Sequence, residues 1–146
     1  MMLAEIIDTQ SEKPAKFRCS LTYSERFVRR KRLSTDCGIH FLLNLEHTTN
    51  LNNGDHIILS DKRHIEVCAK AENLASIAGK NLSELAWHIG NRHTPCQVDV
   101  DKLLIQKDHV IEDMIKRLGG KVTYVFKVFT PLGGAYGFGR THSHSH

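Results

Sequence analysis

The chain has 146 residues, 40% of them hydrophobic and 25% charged, with a net charge of +4. That composition suits one ordinary globular domain or two small ones, and no apolar run approaches the length of a membrane span. Cys19, Cys37, Cys68 and Cys96 are scattered without a Cys-x-x-Cys pair, which excludes a dense disulfide scaffold and points to a reducing, cytoplasmic protein.

In chain order, Met1 to Asp8 has no basic segment, and Glu5 and Asp8 interrupt its apolar positions, so no signal peptide is expected there. Arg29-Arg30-Lys31-Arg32 beside Phe27 reads as a solvated turn or a docking face. From Phe17 to about Ala69 short strands are expected at Phe41 to Leu45, Ile57 to Leu59 and Ile65 to Val67. Turns at Asn53-Gly54 and Asp61-Lys62-Arg63 separate them. Residues 1–69 therefore form a small all-β domain.

Leu74, Ile77, Ala78, Leu82, Leu85, Ala86 and Ile89 recur at helical spacing and predict a helix from Asn73, as N-cap, to His88, with Gly90 as its stop. Strands follow at Gln97 to Val100 and Leu103 to Ile105, joined by the two-residue loop Asp101-Lys102. Asp108 caps a second helix that Gly119-Gly120 ends, and Val122 to Phe129 makes a last strand. With Ile65 to Ala69 as first strand, the order is βαββαβ, a ferredoxin-like arrangement over residues 70–131. The fold class is thus α+β. Residues 132–146 read as a flexible glycine-rich segment ending in a histidine tail.

Three of the ten histidines, His142, His144 and His146, alternate with serine in the last five positions and can gather around one ion. His93, in Gly90-Asn91-Arg92-His93-Thr94-Pro95, would be fixed by a helix end, and in a two-fold homodimer one such residue becomes two ligands. His109, at the start of the second helix, is a candidate auxiliary ligand. Cys96 stays outside the site, because free cysteines are typically buried and inert. His40, His47, His56, His64 and His88 share no spacing and are assigned to surface or core. No His-Glu-x-x-His, phosphate-binding loop, nucleophile elbow or Cys-His arrangement is present, so no enzyme is expected.

The linked pattern Asp36-Cys37-Gly38-Ile39, Leu51-Asn52-Asn53-Gly54-Asp55, Ile65-Glu66-Val67, Gly90 to Pro95, Asp108-His109-Val110 and Leu118-Gly119, closed by the histidine tail, resembles the UreE family of urease accessory proteins. The resemblance implies a homodimeric nickel metallochaperone with a peptide-binding-like N-terminal β domain and a ferredoxin-like metal-binding domain. It implies that His93 of both subunits holds nickel(II), that tail histidines add ligands, and that the ion passes, with an accessory GTPase, to the apo-urease complex. Zinc(II) and copper(II) remain open at the same histidines. In one respect the chain departs from the pattern: some members have a His-x-His pair before the second helix, and here Lys107 takes the first place. The alternatives are a nucleic-acid-binding or general interaction module with incidental metal binding at the tail, or a metal-dependent hydrolase. Neither a membrane nor a nucleic acid is the expected partner.

Overall fold

The computed structural model describes residues 1–9 and 11–133. The chain divides into two compact units, Met1–Lys70 and Ala71–His146.

The first unit is a six-stranded sheet of β1 (Met2–Asp8), β2 (Phe17–Leu21), β3 (Phe27–Ser34), β4 (His40–Asn50), β5 (His56–Leu59) and β6 (His64–Ala69), in the order β2-β6-β5-β1-β4-β3. Strand β1 lies inside the sheet, parallel to β4 and antiparallel to β5. Alternation dictates which residues enter the core: Phe41, Leu43 and Leu45 of β4 and Ile65 and Val67 of β6 point inward, against Ile57 and Leu59 of β5. Gly54, at φ +92°, makes the turn before β5, a conformation open to glycine at no steric cost. The basic run Arg29 to Arg32 is not a turn. It lies in β3, an edge strand paired to β4, where four exposed cations also discourage pairing with another chain.

The second unit is β7 (Glu72–Ala78), α1 (Leu82–Asn91), β8 (Gln97–Val98), β9 (Leu103–Gln106), α2 (His109–Arg117) and β10 (Lys121–Lys127), with sheet order β10-β7-β9-β8. This is the ferredoxin-like βαββαβ order. Ala75, Ile77, Leu103 and Ile105 present one sheet face to Leu85 and Ile89 of α1 and to Ile111 and Ile115 of α2.

Three sequence expectations change here. Ile65 to Ala69 belongs to the first sheet, and the first ferredoxin-like strand is β7. The helix expected from Asn73 begins only at Leu82, with Asn81 as N-cap. The reason is burial: Leu74, Ala75, Ser76 and Ile77 are all buried in a strand flanked on both sides, and such a continuous apolar run carries no strand period. The β8–β9 loop spans residues 99–102 rather than two residues, closed by the Asp99 N–H donating to the Lys102 carbonyl at 3.0 Å.

Helix α2 starts as expected. The Asp108 carboxylate accepts from the N–H groups of Val110 (3.0 Å) and Ile111 (3.2 Å), and the buried Glu112 accepts from the Asp108 N–H at 2.8 Å. The other Glu112 oxygen accepts from the Tyr124 hydroxyl on β10. That hydrogen bond favours the protonated phenol and holds Tyr124 above the usual tyrosine value. Ultraviolet titration should therefore show a tyrosine that ionises late, and Glu112→Gln should return it toward the ordinary range. An unmoved midpoint would separate the two groups in solution.

Candidate metal site

Helix α1 is set by its own ends. Asn81 accepts from the Glu84 N–H at 3.2 Å and donates back to the Glu84 carboxylate at 3.1 Å, while Leu85 and Ile89 anchor the opposite face in the core. At the other end the His93 N–H donates to the Gly90 carbonyl at 2.9 Å, and the Thr94 N–H to the Ile89 carbonyl at 3.4 Å. This pair of bonds is a Schellman closure, which requires a left-handed residue at its turn. Helix α2 ends the same way: Gly119 N–H bonds to the Lys116 carbonyl (3.1 Å) and Gly120 N–H to the Ile115 carbonyl (2.9 Å), with Gly119 at φ +88°.

Where α2 uses a glycine, α1 uses His93, at φ +56°. A non-glycine residue there costs about 1–2 kcal/mol. The sequence expectation that Gly90 stops the helix is thereby corrected: the left-handed closure falls at His93. Gly90 lies inside the last turn of α1, and Pro95 follows the closure. Two further features bear on His93. It is exposed, and it sits at the C-terminal end of a helix, where the dipole is negative and favours a cation. Arg92, next to it, is clipped to α2 by its Nε donating to the Met114 sulfur at 2.9 Å.

His109 occupies the opposite electrostatic setting. It is the first residue of α2, exposed, at the positive end of the dipole, which disfavours a bound cation. Lys107, two residues before it, lies 4.9 Å from the Tyr124 ring centre. Among the described residues no three His, Cys, Asp or Glu side chains gather into a metal-holding group, so His93 and His109 do not share one in a single chain. His142, His144 and His146 lie outside the described residues.

Cys96, three residues beyond His93, is packed against the ferredoxin-like core, and burial pushes its thiol up to about 11. Cys19, fully buried in the first unit, is likewise pushed up to about 11, chiefly by burial. Neither is a thiolate at neutral pH. Alkylation of the folded chain at pH 7 should label the exposed Cys37 first and spare Cys19 and Cys96; rapid labelling of Cys96 would mean that its packing opens. The central strands β7 and β9 carry no aromatic residue, unlike an RNA-binding sheet of this topology. One pairing escaped the sequence reading altogether: His56 and His64, set aside for want of shared spacing, meet across β5 and β6. Only the strand register could have revealed it.

Residues 3–70 match the family model described as UreE urease accessory protein, N-terminal domain, and residues 63–146 match its C-terminal domain. A protein of Ruegeria pomeroyi named urease accessory protein UreE is 54% identical over 129 residues, covering 88% of this chain and 87% of its own length. Proteins of the same name from Cereibacter sphaeroides and Rhodobacter capsulatus are each 48% identical. They cover 91% and 87% of this chain and 72% and 81% of their own lengths.

Proposed function

Because the chain belongs to the UreE family of urease accessory proteins, we propose that it is a nickel carrier in urease maturation, holding the ion between the His93 side chains of two chains and handing it on without turnover. The observation that carries this reading is the left-handed His93 closing α1, because local strain retained at an exposed residue is a mark of a functional position. Nickel is the cargo, and imidazole is a ligand type suited to it. The rigid closure and the clip of Arg92 to α2 fix where the ring starts from, and the helix dipole favours the cation.

A single imidazole is a poor site. Two-fold pairing of chains completes it, since a residue near the axis meets its own copy. Such a site has few protein ligands and stays open to an acceptor, which suits capture and transfer. His142, His144 and His146 would supply further ligands, and His109 at most an auxiliary one. The choice of nickel over zinc or copper rests on family membership, and the recipients would be the accessory GTPase and the apo-urease complex.

Nickel titration by calorimetry, with the assembly followed by sedimentation, tests the reading through its stoichiometry. The tightest class of site should hold one ion per two chains. One tight ion per chain, in a monomer, would overturn it.

A further inference from the structure

On the first unit, the Nδ1 atoms of His56 and His64 stand 3.1 Å apart, their rings edge to face with centroids at 5.3 Å. Opposite His56 in the ladders are Glu66 of β6 on one side and Asp8 of β1 on the other. Ile57 and Ile65 fill the core, so the pleat directs His56, His64, Glu66 and Asp8 to the other face of the sheet, where the two imidazoles are in contact. His56 is only 3% exposed, and His64 is half-buried.

A hydrogen bond between neutral imidazoles explains this pair only if the rings adopt opposite tautomers, one with its proton on Nδ1 and the other on Nε2. A cation needs no such asymmetry. Both rings would then keep their proton on Nε2 and offer Nδ1 to the ion. Zinc–imidazole bonds of about 2.0–2.1 Å at ordinary coordination angles separate two ligand nitrogens by about 2.9–3.4 Å. The observed separation falls inside that window.

We infer that His56 and His64 form a two-imidazole site for a borderline divalent cation of the zinc, nickel and copper group, independent of His93. With only two protein nitrogens as ligands, the ion it holds is exchangeable. The site belongs to one chain and needs no partner copy.

The test uses the full chain with His93, His109, His142, His144 and His146 all replaced by alanine, titrated with zinc chloride. Calorimetry should find one zinc per chain, and the uptake should disappear when His64→Gln is added. His64 is chosen because His56 is the more deeply buried of the two. In the five-alanine chain the imidazole resonances of His56 and His64 should shift together on zinc addition, a measurement that holds even if His64→Gln fails to fold. No zinc uptake by the five-alanine chain, uptake untouched by His64→Gln, or unmoved resonances would each overturn the inference. None of the five replaced histidines belongs to the pair, so failure of nickel binding at His93 and failure here are distinguishable.

Discussion

If the proposed site is right, replacing His93 by alanine should abolish the tightest nickel site and leave the chain folded. In the proposed two-chain site symmetry would double the effect, because one substitution removes both imidazoles. Losing even an outer-sphere partner of a metal ligand costs about 10–100-fold in affinity, so losing both direct ligands should cost at least about 100-fold. The fold is insulated from the change, since the His93 side chain is exposed and the closure is made by backbone groups. His93→Gly sharpens the comparison. It removes the same ligand and also relieves the left-handed strain at φ +56°, so it should unfold at equal or higher urea concentration, with a gain of up to about 1 kcal/mol. Nickel lost while stability is kept or raised separates a ligand from a structural residue. A tightest site that survives His93→Ala sinks the assignment. Protons compete with metal for the imidazole nitrogen, so affinity should also weaken as pH falls.

Ile89→Ala should cost about 2–5 kcal/mol, the range for truncating a large aliphatic side chain in a packed core. Ile89 has no exposed surface and lies in the α1 cluster against Ala75, Ile77 and Leu85. Its carbonyl also accepts from both Arg92 and Thr94, so the cavity would open directly beneath the closure that carries His93. A domain of this size has about 5–15 kcal/mol in total, which makes the loss a large share. The sole tryptophan, Trp87, stands on α1 and reports the unfolding of the second unit in urea by fluorescence. Nickel affinity should fall together with stability, although every imidazole is still present. A stability change below about 0.5 kcal/mol would mean that the helix end is not held by this packing.

These two residues also show how far the chain could be read without coordinates. Asp108 before an amphipathic run and Gly119-Gly120 after it predict α2 and its ends, because cap chemistry is local. Strand β7 reads as helix in the sequence because Leu74, Ile77 and Ala78 fall at helical spacing, while a strand buried on both faces shows no alternation. The corrective signal was Asn81 followed three residues later by Glu84, a capping pattern placed after Gly79 rather than before Leu74. For His93 the surplus histidine was visible, but not that it takes the left-handed place, since the natural inference assigns that place to the nearby Gly90. His56 and His64 were out of reach for another reason. Eight positions apart they mean nothing until the β5–β6 register is known.

The interior position of β1 sets the order in which the first unit can be assembled. Met2 pairs with Phe41 and Asp8 with His56, so β1 has no ladder to join until strands far along the chain are available. Closure of such long loops precedes any reward from pairing, which slows folding and leaves an apolar strand waiting in the open. A load applied at Met1 would act on the middle of the sheet rather than its rim, stripping β4 and β5 from their shared neighbour in one event.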